Sequence, residues 1–460
     1  MREPAGAAAR PVVARSVAKK QSLSWCARSS GLLRFAGDDG VRRVVFFCFF
    51  CAAALVLAAS SYASAADMPG PWVELSSEGG LDVRSITAPG MSCPEVVADG
   101  TALTSRTGAA DDKDFPVQIC IAHAPAMARA IAVDGLPVPV LPNEIRRIVV
   151  IGDTGCRLKG SFTQDCNDPV KWPFAVVARL AAARRPDLVI HVGDYHYRET
   201  PCPDTQPGCA GSPHGDNWAV WQKDFFDPAA PLLAAAPWVL VRGNHELCRR
   251  GGHGWFRLLD PHPDASACTD TTAPYALRIG GLNLLLFDGA DADDDKADPA
   301  KVALYRDQLG TLLGKALPRA WLLTHRPVWA LAQGPDVKPG STLNATEQAA
   351  IRDLVPAGLD MVVSGHVHDF TGYDFGPSRP AQLVVGEGGD ANDEISQPVN
   401  PGIDIDGVKL RHGLAIPDYG YVVLHRTKQG WSGTVHALTD QVLARCRLHE
   451  REIACRRAVR

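Results

Sequence analysis

Two stretches decide the fold: Ile148-Val149-Val150-Ile151-Gly152-Asp153 and Leu188-Val189-Ile190-His191-Val192-Gly193-Asp194. Each is a short apolar run without alternation, the pattern of a strand buried on both faces, and each stops at Gly-Asp. Three more follow in order. Val239-Leu240-Val241-Arg242 leads into Gly243-Asn244-His245-Glu246. Trp321-Leu322-Leu323-Thr324 leads into His325, and Met361-Val362-Val363-Ser364 into Gly365-His366-Val367-His368. Helical stretches are expected between them at Pro173 to Arg184, Asn217 to Phe226, Pro299 to Ala316 and Thr346 to Leu354. Strands alternating with helices predict an α/β layered domain. Its polar clusters all stand where strands leave the sheet, the edge at which open α/β sheets bind ligands.

Taken singly the clusters are weak signals, because Gly-Asp is a common turn and a lone histidine is usually hydrogen-bonded or solvated. Five in order, each behind an apolar run, are a strong one. Together they offer carboxylates (Asp153, Asp194), an amide oxygen (Asn244) and imidazoles (His325, His366, His368). Mixed oxygen and nitrogen donors without thiolate suit a hydrolytic centre of Fe, Zn or Mn rather than a structural zinc site, and two ions fit the donor count better than one.

Outward from this core the chain divides into further segments. Residues 1–65 carry nine Lys or Arg against three Asp or Glu, then an apolar run from Val44 to Ala59 and Ala63-Ser64-Ala65. That order reads as an export signal with a long basic flank, cleaved after Ala65; the competing reading is an uncleaved membrane anchor. Residues 66–143 read as a small β-rich domain ending in a proline-marked linker, 144–445 as the catalytic domain, and 446–460 as a C-terminal tail. Without the leader, the 47 basic and 51 acidic residues become 38 and 48, a net charge of −10. Such a surface has no general attraction for nucleic acid or anionic lipid, so membrane association is expected only through an uncleaved leader, and bound phosphate needs a local positive centre. The ten cysteines beyond the leader fall in near pairs: Cys93 and Cys120, Cys156 and Cys166, Cys202 and Cys209, Cys248 and Cys268, Cys446 and Cys455. An even count in an exported chain favours short-loop disulfides, although sequence does not fix connectivity. The acidic run Asp291, Asp293, Asp294, Asp295 lacks the glycine and terminal glutamate of a calcium loop and reads as solvated. The segment from Cys202 to Trp221 reads as a loop insertion near the second strand edge.

The five clusters resemble those of the calcineurin-like metallophosphoesterase superfamily over roughly residues 145 to 440. That family usually has Asp-x-His in its first motif; here Gly155 stands in place of the histidine. Tyr197, three residues after Asp194, replaces it, and Asp-x-Gly with Gly-Asp-x-x-Tyr is the purple acid phosphatase variant. The resemblance implies a layered β-sheet sandwich flanked by helices. It places one metal on Asp153, Asp194, Tyr197 and His368, and a second on Asp194, Asn244, His325 and His366, with Asp194 bridging. One site then gathers a carboxylate, a phenolate and half the bridge, the other mostly neutral donors. Fe(III) beside Fe(II), Zn(II) or Mn(II) fits that asymmetry, because a hard trivalent ion keeps a phenol ionised. His245 is implied as general acid or transition-state hydrogen-bond donor. His196 and Arg326 are candidate substrate contacts. The expected activity is an exported, acid phosphatase-like phosphomonoester hydrolysis by in-line attack of metal-bound hydroxide. A phosphodiesterase or nucleotidase with the same metals is the alternative, and a non-catalytic exported binding module is disfavoured by the complete ligand set.

Overall fold

In the computed structural model, which describes residues 68–108, 112–263, 267–334 and 337–459, the apolar runs become strands of two sheets. The export signal expected over residues 1–65 lies outside the described residues. Arg147–Ile151, Leu188–His191 and Trp238–Leu240 run parallel at the centre of an eleven-stranded sheet. Leu282–Leu286, Ala320–Leu323, Leu359–Ser364 and Ala381–Val385 run parallel in a seven-stranded one, edged by antiparallel strands. The five motif-bearing runs therefore split three and two between the sheets.

Side-chain alternation explains why both sheets are apolar on both faces. Ile148, Val150, Ile190 and Val239 share one buried cluster with Leu284, Leu286, Leu323, Val363 and Leu383, which is the layer between the sheets. Their neighbours Val149, Ile151 and Val189 point the other way, onto Phe174, Val177, Ala178 and Ala181 of the helix Phe174–Ala183. On the second sheet Leu285, Leu322 and Val362 meet Tyr305, Leu309 and Leu312 of the helix Pro299–Leu313. A residue of either parity is buried, so no polar alternation survives in the sequence. The layered sandwich flanked by helices is the architecture found. The expected helix at Asn217 to Phe226 is one turn, Trp218–Trp221, widened into a π-turn over Gln222–Phe226. The last is Ala345–Ile351, started by the Asn344 side chain accepting from Glu347 N.

Sheet hydrogen bonding is continuous across residue 143. Trp72–Leu75 pairs in parallel with Trp238–Leu240, and Leu81–Thr87, Gln118–Ala124 and Ser105–Thr107 extend the same sheet outward. It is continuous across residue 446 as well, since Gly420–Thr427, Gly430–Ala437, Val442–His449 and Glu452–Arg457 extend the opposite side. Five disulfides join the near pairs of the sequence: Cys93–Cys120, Cys156–Cys166, Cys202–Cys209, Cys248–Cys268 and Cys446–Cys455. Among the described residues no helix is long and apolar enough to cross a membrane.

One buried charge ties the N-terminal strands to the rest. Arg84 is fully covered; its guanidinium donates to the carbonyls of Leu258 at 2.9 Å and Asp260 at 2.5 Å and pairs with Glu74 at 2.6 Å. Removing one partner of such a pair strands the other in a dry interior. Arg84→Ala is expected to lower stability by about 3–5 kcal/mol, measured as a drop in the urea midpoint at unchanged slope.

Candidate metal centre

Strand ends from both sheets converge on one point. Asp153 and Asp194 follow strands of the first sheet, and His325, His366 and His368 follow strands of the second. Asp153, Asp194 and His366 adopt left-handed backbone, with φ of 54°, 62° and 74°. Such geometry is costly for a residue with a Cβ and persists only where the surroundings enforce it. Here the His366 N–H enforces it by donating to both Asp153 oxygens at 3.1 and 3.0 Å. Glycines admit the carboxylates: a Cβ at Gly243 would stand 2.1 Å from Asp194 Oδ1, and one at Gly365 2.3 Å from Asp153 Oδ2.

The donor atoms lie close together. Tyr197 Oη lies 3.1 Å from Asp153 Oδ1, 2.9 Å from Asp194 Oδ2 and 3.0 Å from His368 Nε2. His325 Nε2 lies 3.0 Å from Asn244 Oδ1 and 3.2 Å from Asp194 Oδ2. Ligand atoms of Asp194, His325 and His366 all fall within 4.8 Å of one another. All seven residues are buried except His366, which is half-buried.

The crowd fits a cation. Tyr197 has one hydroxyl hydrogen for the two carboxylate oxygens it touches, so at least one of those contacts sets lone pair against lone pair in a buried site. Burial, then the charges of Asp194 and Asp153, hold its phenol well above the usual value. Ionising it there requires a positive charge against the oxygen. The histidines are preset as ligands too. His325 Nδ1 is 2.8 Å from the Val192 carbonyl, which leaves its Nε2 to face the cluster, and His368 Nδ1 lies between the Ala391 carbonyl at 3.0 Å and Arg157 Nη2 at 2.8 Å with its Nε2 turned to the cluster. His366 is turned the other way: its Nε2 sits 3.1 Å from Asp294 Oδ2, so Nδ1 is the nitrogen left for a metal. An acceptor on the outer nitrogen of each ring is the usual support of a metal-bound imidazole.

Sequence reading missed this outer layer. Asp294, assigned to a solvated loop, instead supports His366 and pairs with Arg326. Its loop is pinned by Ala345 N donating to the Asp294 carbonyl at 3.1 Å and Thr346 N to that of Asp293 at 3.2 Å. Glu246 is wholly buried and accepts the N–H groups of Gly243, Asp194, Tyr195 and His196 at 2.8–3.0 Å, locking the second and third motif loops together. Burial and Asp194 push its carboxyl up to about 8, against which those four donors work. Arg157 and Arg250 each lie against a site histidine, held by Asp390 and Glu199 respectively. Nothing in the strand pattern marked these groups, because each acts from a loop.

The remaining candidates divide. His245 stacks on the Tyr197 ring at 3.7 Å, with Nε2 3.8 Å from Asp194 Oδ2. Its Nδ1 faces the His196 carbonyl at 3.0 Å and Glu199 at 2.8 Å, and Arg250 Nη2 lies against both ring nitrogens at 2.7 and 2.6 Å. Arg326 donates to the Ala290 carbonyl at 3.2 Å and lies 2.9 Å from His366 Nε2, at the edge of the cluster. His196 is buried beside Trp221 with Nε2 3.1 Å from the Gly215 carbonyl, turned toward the Cys202–Trp221 insertion.

Residues 146–370 match the family model for calcineurin-like phosphoesterase. The chain carries a calcineurin-like phosphoesterase domain. Around this phosphoesterase domain the chain is 23% identical over 292 residues to purple acid phosphatase 23 of Arabidopsis thaliana, covering 58% of this chain and 57% of that protein. It is 23% identical over 232 residues to purple acid phosphatase 22 of the same plant, covering 48% of each. The chain thus spans about half the length of the curated relatives it matches. In fold it is similar to purple acid phosphatase PPD1 from yellow lupin (Lupinus luteus) seeds, with a TM-score of 0.55 and 14% identity over 81% of this chain and 72% of that one. It is also similar to PhoD, with a TM-score of 0.52 and 13% identity over 87% and 94%.

Asp294→Ala is expected to weaken the affinity of the phosphoesterase domain for a divalent metal about 10- to 100-fold, read by titration against a competing chelator. Unchanged affinity would leave Asp294 a salt-bridge partner of Arg326 alone.

Proposed function

We propose that the chain is a metal-dependent, acid phosphatase-like hydrolase of phosphate monoesters that works outside the cytoplasm. The observation that carries this reading is the convergence of Asp153, Asp194, Tyr197, Asn244, His325, His366 and His368 on one edge of the sandwich. Asp153, Tyr197 and His368 would hold one ion; Asn244, His325 and His366 would hold the other, with Asp194 shared. Fe(III) with Fe(II), Zn(II) or Mn(II) is the pair the donor charges favour. When bound, the pair supplies Lewis acidity toward phosphoryl oxygens and an acidified water as nucleophile.

The chain's own residues supply position and protons. Gly243 and Gly365 let the carboxylates stand against neighbouring backbone, and Glu246 keeps the loops carrying Asp194 and Asn244 in register. With the His196 carbonyl and Glu199 on its Nδ1, the Nε2 of His245, beside Arg250 Nη2 at 2.6 Å and Asp194 Oδ2 at 3.8 Å, is the atom that would hold or deliver a proton at the leaving oxygen. Burial, with the like charge of Arg250, pulls the ring down to about 3, against the upward pull of Asp194 and Glu199 that the cationic form needs. Arg326, with Asp294 behind it, stands where it can donate to a phosphoryl oxygen. Five disulfides and the leader pattern support an oxidising, extracytoplasmic setting.

Metal analysis joined to assays on a phosphomonoester and a phosphodiester tests the reading. Two ions per chain and faster monoester cleavage are expected; faster diester cleavage would move the assignment to a phosphodiesterase. If Tyr197 binds ferric iron, the purified protein absorbs visible light and Tyr197→Phe is colourless; an active, colourless, iron-free protein would reject that ion. Asp194→Asn is expected to lose at least about 10³-fold in kcat, a loss of roughly 4 kcal/mol of transition-state stabilisation, and retained turnover would refute the shared ligand.

A further inference from the structure

Beside the cluster, a small hairpin carries two cationic side chains that the chemistry above leaves unused. Leu158–Lys159 pairs antiparallel with Phe162–Thr163 within the loop closed by Cys156–Cys166. The hairpin is fixed to the ligand-bearing loop: Leu158 N donates to the Tyr197 carbonyl at 3.0 Å, Glu199 N to the Leu158 carbonyl at 3.0 Å, and Gly160 N to Thr200 Oγ1 at 2.9 Å. A second stapled loop braces it, with Gln206 donating to Asp165 at 2.7 Å and Asn167 N to the Gly208 carbonyl at 2.9 Å. The backbone that carries residues 157–159 is therefore held firmly against the loop that carries Tyr197.

Leu158 turns inward onto the half-cystines Cys156, Cys166 and Cys209. In an extended segment residues i and i+2 share a face, so Arg157 and Lys159 share the opposite one. Arg157 is half-buried. Its Nε lies 3.1 and 3.0 Å from the two Asp390 oxygens, its Nη2 is 2.8 Å from His368 Nδ1, and its guanidinium stands 5.7 Å from the centre of the Tyr197 ring. Its Nη1 has no partner among the described residues, and neither has the exposed Lys159 amine. Partial burial of its stem, then the like charges of Arg250 and Arg157, lower that amine below the usual lysine value, while Glu199 and Asp194 raise it. Asp390 already balances Arg157, whereas Lys159 makes no ion pair among the described residues, on a chain that is otherwise acidic.

We propose that Arg157 Nη1 and Lys159 form an anion subsite next to the metal centre, and that the substrate is a phosphate ester or anhydride whose leaving group carries a second phosphate. This rests on the phosphoesterase reading and deepens it: the metals take the phosphoryl group that is cleaved, and the hairpin takes the one that leaves. The hairpin backbone and Arg157 are already held, so binding orders little beyond the Lys159 side chain, and the subsite acts chiefly on KM.

The test compares ADP, whose leaving group carries a phosphate, with p-nitrophenyl phosphate, whose leaving group carries none, at one ionic strength. Lys159→Ala is expected to lower kcat/KM for ADP about tenfold more than for p-nitrophenyl phosphate, mostly through KM; Lys159→Glu is expected to widen that gap, and Lys159→Arg to close it. Thermal melting of the three variants should match the parent, since the side chain is exposed. Equal effects on the two substrates, or none on ADP, would overturn the subsite while leaving the phosphoesterase reading intact. A parent protein that cleaves neither compound would overturn both.

Discussion

Buried negative oxygen needs a positive partner, and the whole site is organised around that constraint. Asp153, Asp194 and the Tyr197 hydroxyl are packed within hydrogen-bond distance in a place closed to water. Without a cation such a cluster is a cost to folding, since each carboxylate loses its hydration and regains only part of it from backbone N–H groups and histidines. With cations it is a strong site, because the fold has already met the cost of gathering the ligands. The left-handed backbone at Asp153, Asp194 and His366 points the same way: local strain is tolerated where strand ends must turn donors toward one point.

The sandwich solves the geometric problem. Two sheets packed face to face bring their strand ends to one edge, so ligands far apart along the chain meet with little loop in between. The loops then add the supporting acceptors: Asp294 behind His366, the Val192 carbonyl behind His325 and the Ala391 carbonyl behind His368. Glu246 joins the two loops that carry Asp194 and Asn244 through four backbone N–H groups. Arg157, Arg250 and Arg326 each stand between a site histidine and a carboxylate, so the rim offers donors without adding net charge.

Much of this was legible in the residues because buried parallel strands leave a plain mark. The runs before Asp153, Asp194, Asn244, His325 and His366 are apolar at both parities, and strand edges differ from those expected by only one or two residues. Other features carried no such mark. The split of the five runs between two sheets depends on pairing over long separations, which periodicity does not encode. Asp294 reads as solvated because acidic runs usually are, and only the pinning of its loop to the helix Ala345–Ile351 brings it inward. The strands of residues 72–124 read as a separate unit because glycine and proline interrupt them, yet Arg84 and the Trp72–Leu75 pairing knit them to the sheet.

The central claim is that two neighbouring ions share Asp194 at this edge. Diffraction from crystals of the purified protein, recorded on both sides of the iron absorption edge, tests it most directly. The account predicts two metal peaks flanking the Asp194 carboxylate, with the iron signal on the side of Tyr197 and Asp153. A single ion that leaves Tyr197 Oη unbound, or no ion between these side chains, would contradict it.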